Sequence, residues 1–164
     1  WQQIAHQTVD MGLEDAEVFV AAKANGRDPH YFDELRGKRL ALFNGYHYAF
    51  ASFNADPDYL RKAFNATLTY SHDSNLLMVQ ADRADIALVT RSYLSDFLDR
   101  NPDSQAQLVA SQRIDQVYHH YALLRPGAPI GEQSFAALLR ALRENGELTR
   151  IFQPYRITVQ APRD

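Results

Sequence analysis

Arg39-Leu40-Ala41-Leu42-Phe43-Asn44-Gly45 reads as a short apolar strand stopped by a turn dipeptide. Working outward, Tyr46, Phe50 and Phe53 recur at helical spacing and predict a helix after the turn. In Asp56-Pro57-Asp58 an N-cap acceptor precedes a proline at the first helical position, so a second helix runs to about Phe64. Ala66-Thr67-Leu68-Thr69-Tyr70 alternates and is rich in strand formers. Asp73 or Ser74 caps a helix carrying Leu76, Leu77 and Val79, and Ile86-Ala87-Leu88-Val89-Thr90 is the next strand. Ser92 then caps a helix with Tyr93, Leu94, Phe97 and Leu98, closed by Asn101-Pro102. Strands alternating with helices across short connections imply parallel strands joined by helical crossovers, an α/β layered fold.

On the N-terminal side the longest apolar run, Ala16 to Ala22 with Glu17 inside it, reads as a strand, and the charged stretch Lys23 to Pro29 as a linker. On the C-terminal side Gln107 to Ala110 and Val117 to Leu124 read as two further strands, the second stopped by Arg125-Pro126-Gly127. Phe135, Leu138, Leu139 and Leu142 form the clearest helical stripe, over Ser134 to Asn145, with Gly146 as its cap. A shorter stripe of Leu148, Ile151 and Phe152 ends at Pro154.

The 164 residues suffice for one domain or two small lobes, and 46% hydrophobic with 23% charged residues is the composition of a packed globular chain. A net charge of -3 gives no general attraction for phosphate backbones, so nucleic acid is not an expected partner. The absence of cysteine removes disulfides, thiolate zinc sites and cysteine nucleophiles. No apolar run reaches the ~18–20 residues of a membrane span. The start, Trp1-Gln2-Gln3-Ile4, lacks signal-peptide features, and a processed chain would read the same.

As a set, several pieces resemble the type II periplasmic solute-binding proteins, the extracytoplasmic receptors of amino-acid ABC importers. Glu17 to Lys23 is similar to their first hinge strand, and Phe32-Asp33-Glu34-Leu35-Arg36-Gly37-Lys38-Arg39-Leu40 to the "L-x-G-K-x-V" run that opens their second lobe. Asn44-Gly45 resembles the glycine that opens their ligand loop, and Asn75 to Leu88 their "L-x-x-L-x-x-G-R-x-D-A" passage from helix to strand. Tyr118 to Arg125 resembles the returning hinge strand, and Leu138 to Phe152 the closing helix pair. The resemblance implies a parallel-sheet lobe flanked by helices, with an incomplete second lobe. Residues 1–26 would be the first hinge strand and a remnant of lobe 1, 27–115 the complete lobe 2, and 116–164 the returning strand and C-terminal helices. The tail-helix stripe would then need cover, from the chain's own N-terminal residues or from a second copy in a homodimer.

The function the resemblance implies is binding of a small polar or anionic solute in an interlobe cleft, without chemistry or cofactor, for delivery to an inner-membrane ABC permease from the periplasm. A ligand-sensing domain of a membrane signalling protein is the alternative. A dehydratase-like enzyme would need an acid/base pair, for which His47 with Asp73 is the best candidate. Ligands of such sheets sit beyond the carboxyl ends of the strands, which here are Asn44 to His47, Ser71 to Ser74 and Thr90 to Ser92, with Asn44, Gly45, Tyr46, His47, Asp73, Thr90 and Arg91 as the candidate residues. The N–H groups after Gly45 are the expected anion donors. Tyr46 is open to two roles, contact with ligand or packing in the core. His119 and His120 point to opposite faces of a strand, so they are not expected to share a metal, and His119 is the one assigned to the cleft. At the position where the family carries an aspartate for the ligand ammonium group stands Thr90, followed by Arg91. A hydroxyl in place of the carboxylate costs about tenfold or more in affinity for an ammonium group. The expected ligand is therefore not an ordinary α-amino acid held in the family's manner. Arg91 either favours an anionic ligand or is solvated.

Overall fold

The computed structural model describes residues 7–24, 28 and 30–161. The start at Trp1 and most of the linker stretch, 25–27 and Pro29, lie outside the described residues. The chain divides into two compact units, Ala16–Gln116 and the pair of segments Trp1–Asp15 and Val117–Asp164.

Strands β1 (Gln7–Ala22), β2 (Leu40–Phe43), β3 (Ala66–Thr69), β4 (Ile86–Thr90) and β5 (Leu108–Leu124) alternate with α1 (Pro57–Phe64), α2 (His72–Gln80) and α3 (Arg91–Arg100). Within Ala16–Gln116 the sheet order is β3-β2-β4-β1-β5. β2 runs parallel to β3, with Leu40 opposite Ala66, and to β4, with Leu40 opposite Ile86. The sheet is mixed rather than wholly parallel, because β1 lies antiparallel to β4, with Glu17 opposite Thr90. Strand alternation splits the apolar residues between two faces. Val18, Val20, Ala41, Ala87 and Val89 pack under α2 and α3 through Leu76, Val79, Leu94 and Phe97. Phe19, Ala21, Leu40, Leu42, Ile86 and Leu88 pack on the other face with Tyr48 and Leu60.

Several local readings are corrected. The stripe of Tyr46, Phe50 and Phe53 does not make a helix, only a 3-10 turn at Ala49–Ala51. Ser52 and Phe53 leave it in the left-handed region, at φ 53° and 59°, and Phe53 is exposed. The aromatic residue that does enter the core is Tyr48, fully buried, whose hydroxyl accepts from the Phe43 N–H at 2.9 Å. The caps also differ: Ser71, not Asp73 or Ser74, caps α2, and Thr90, not Ser92, caps α3. Thr90 is the last residue of β4, and Ser71 stands two residues beyond the end of β3. Asp56 caps α1 with Pro57 in its first turn, as the sequence implies.

The two strands expected at 107–110 and 117–124 are one strand, β5. Its polar middle is not a loop, because other elements use its side chains. Ser111 Oγ accepts from the Phe19 N–H at 3.1 Å, and the Arg113 guanidinium lies 4.6 Å from the Phe19 ring centre.

In the other unit, α4 (Glu132–Glu144) and α5 (Glu147–Phe152) follow β5, and β6 (Thr158–Val159) pairs antiparallel with β1 at Leu13 and Glu14. The tail-helix stripe is covered from within the unit: Leu139 and Leu148 are buried with Val9 and Leu13, and Met11, Phe135 and Leu142 pack around them. Leu138 is 55% exposed and stands outside this cluster. Gly12 stands at φ 63°, where a side chain would collide with the Gln160 carbonyl, so backbone and space both call for glycine.

Candidate functional site

The carboxyl ends of β2, β3 and β4 lie side by side in the parallel part of the sheet, so the segments after Phe43, Thr69 and Thr90 meet at one edge. Asn44 Nδ2 donates to the Tyr70 hydroxyl, and the Asn44 N–H to the Thr69 carbonyl at 2.8 Å, which ties the first two segments together. Gly45 stands at φ 85° with open space where a Cβ would be, so backbone conformation rather than crowding calls for glycine.

Of the backbone donors expected after Gly45, at Tyr46 and His47, the first is engaged. Tyr46 N–H closes the turn onto the Phe43 carbonyl at 3.3 Å, and no helix starts there. The N–H groups of Ala49 and Phe50 donate to the Asp115 carboxylate, each at 2.8 Å. Burial raises the pKa of this carboxyl although both N–H bonds pull it down. His47 is exposed, with Nδ1–H donating to the Phe53 carbonyl at 2.8 Å.

Rings line the same edge. Phe43 packs 4.7 Å from both Tyr46 and His72, and His72 lies 4.8 Å from Tyr93. Tyr46 therefore leans on this surface cluster and stays 39% exposed. His72 is half-buried among the rings with no hydrogen-bond partner for Nδ1, and burial lowers its pKa.

Asp73 accepts from the Tyr93 hydroxyl at 2.8 Å and from the Arg100 guanidinium at 3.1 and 3.2 Å. The Arg100 hydrogen bond, helped by Tyr93, holds its carboxyl below the usual range. Such a carboxylate is a poor general base at neutral pH. His47 and Asp73 are each engaged by other groups rather than by one another. Thr90 Oγ1 accepts from the Tyr93 N–H at 3.2 Å and shares a hydrogen bond with Ser92. Arg91 opens α3 and is exposed. The structure thus brings Asn44, Gly45, Tyr46, His47, Asp73, Thr90 and Arg91 to one edge of the sheet in the same unit. His119 belongs to the other unit, where its Nδ1 lies 3.0 Å from the Glu14 carboxylate.

Sequence reasoning missed His72, Tyr93, Arg100 and Asp115. The strand-end segment Ser71 to Ser74 contains His72, but sequence reasoning singles out only Asp73 within it. Asp115 had no signal, because its partners lie 65 and 66 residues away. A cavity of about 710 Å³ in the same unit is lined by Lys23, His30, Asp33 and Arg113, and by none of the strand-end residues.

No protein-family model and no curated protein matches this chain. Solved structures do. The ligand-binding core of GluR0 from Nostoc punctiforme, in complex with L-glutamate, superposes with a TM-score of 0.61 at 17% identity, covering 94% of this chain and 66% of that one. This chain has the type II periplasmic binding protein fold. A histidine kinase sensor domain with similarity to periplasmic binding proteins matches at 0.63 and 19% identity, over 91% of this chain and 62% of that one. The L-cystine solute receptor of Neisseria gonorrhoeae, unliganded and open, matches at 0.62 and 17%, over 98% and 63%. The chain therefore spans a little under two thirds of the length of these neighbours.

Proposed function

We propose that the chain is an extracytoplasmic solute-binding domain of an ABC-type importer, taking a small polar or anionic solute at the carboxyl ends of β2, β3 and β4. The observation that carries the reading is the convergence there of Gly45, His47, Asp73 and the start of α3 on a sheet of periplasmic binding protein fold. Binding needs no covalent step, and the partner that receives the solute would be the inner-membrane permease. Thr90 supports a solute without an ammonium group at that position, because its oxygen is already committed to the α3 cap. Exposed Arg91 supplies a positive charge at the same helix start, which favours a carboxylate or other anion.

The likeness to a histidine kinase sensor domain supports a second reading, in which the same site reports a solute to a signalling protein. A thermal-shift screen against amino acids, polyamines, sugars and organic acids tests the shared element, since a ligand of the native state raises its apparent stability. Stabilisation by a polar or anionic solute is the expected result, and none across all four classes would end the reading. Transport and sensing separate on the sequence that adjoins this domain, a permease partner against a membrane span followed by a kinase.

A further inference from the structure

The loop after β2 is held from β5 as well as by turn hydrogen bonds among its own residues. Asp115 Oδ2 accepts from Ala49 N–H and Oδ1 from Phe50 N–H, both at 2.8 Å. Gln116, the next residue, donates to the His47 carbonyl at 2.9 Å and to the Glu17 carboxylate at 3.1 Å. Asp115 and Gln116 are the last residues of the unit Ala16–Gln116, and Glu17 is its second. The turn they hold is a single 3-10 turn, too short to sustain itself. It is followed by Ser52 and Phe53 in the left-handed backbone region, which side chains disfavour. Such a loop keeps its shape only if something outside it imposes the shape.

We propose that Asp115 is the positioning residue of the loop that presents Gly45, Tyr46 and His47, with its two carboxylate oxygens each fixing one backbone N–H while Gln116 fixes the His47 carbonyl. The carboxylate does for the loop what a bound anion would do, so the amides of Ala49 and Phe50 serve the loop's own shape and are not offered to a solute. The chemistry asks for aspartate specifically. Asparagine has the same size but only one acceptor oxygen, and its amide nitrogen would face the second N–H as donor against donor. The functional weight of this residue rests on the solute-binding reading above, because positioning matters only if the loop meets a ligand.

Amide hydrogen exchange followed by ¹⁵N–¹H NMR on the whole chain tests the proposal without any ligand. In Asp115→Ala, exchange at Ala49 and Phe50 should quicken by about tenfold or more, as expected for loss of bonds to a charged acceptor, while amides of β2 and β4 keep their protection. In Asp115→Asn, one of the two amides should stay protected and the other should not. That asymmetry decides the matter even if the alanine variant fails to fold. Equal protection of both amides in the asparagine variant, or protection lost uniformly across the unit, would overturn the proposal. A chain that binds none of the screened solutes would sink the functional reading and leave this exchange pattern intact.

Discussion

The segments after β2 and after β4 end neighbouring parallel strands, yet they are stabilised in opposite ways. After β4 the chain passes straight into a helix, and Thr90 caps it three residues on. After β2 it wanders through 44–53 without regular structure beyond one turn, buries Tyr48, and adds to its local turn bonds hydrogen bonds from Asp115 and Gln116. A local solution tolerates change at a distance. A long-range one makes the loop's shape depend on a strand far away in sequence.

The largest effect expected from this contrast is at Tyr48. Tyr48→Ala should destabilise by about 3–5 kcal/mol in urea unfolding, the range for emptying a buried aromatic site. Tyr48→Phe should cost about 1 kcal/mol, because the half-buried Phe43 N–H loses its acceptor. If Tyr48→Ala cost less than Thr90→Ala, the loop after β2 would not be anchored by its core residue.

Next comes Gly45→Ala, expected to cost about 1–2 kcal/mol from the left-handed backbone alone, since nothing stands where the methyl would go. Thr90→Ala should cost about 1 kcal/mol as a lost cap, with Thr90→Ser nearly neutral. A cost for Thr90→Ala well above that of a cap would mean that the segment after β4 also depends on distant partners.

The smallest effect is electrostatic. The folded pKa of Asp73 is depressed by Arg100 and Tyr93, so the pair's contribution to stability is present above the unfolded carboxylate pKa and fades as pH falls through the folded value. The Asp73 side chain is 38% exposed, and solvent screening keeps the contribution small. In acid-side thermal melts Asp73→Asn should flatten part of the loss of Tm. An unchanged slope would show that the Arg100 contact carries no weight in solution.

The same contrast explains what could be read in advance. Asp56-Pro57 gives the α1 start correctly, because cap and proline act within one turn. The short apolar runs at 40–43 and 86–90 and the alternation at 66–69 give three strands, and the continuous burial of Leu40 to Leu42 and of Ile86 to Val89 is that of strands covered on both faces. Caps at Ser71 and Thr90 are misplaced by two or three residues, as several hydroxyl and carboxyl groups compete within a single turn. Three aromatic residues at helical spacing did not make a helix after Gly45, where burial of Tyr48 and capture by Asp115 decide the backbone. Ser111 to Gln116 reads as a polar gap in sequence. It is a strand because Phe19, Ala49, Phe50 and His47 supply partners that no local pattern contains.

The claim that a solute meets the chain at these strand ends is tested most directly by ¹⁵N–¹H spectra during titration with the polar and anionic compounds of the stability screen. Saturable shifts at Gly45, His47, Asp73 and Arg91 together are expected for at least one such compound. Saturable shifts confined to residues 30–33 and 109–113, or no shift with any of them, would contradict it.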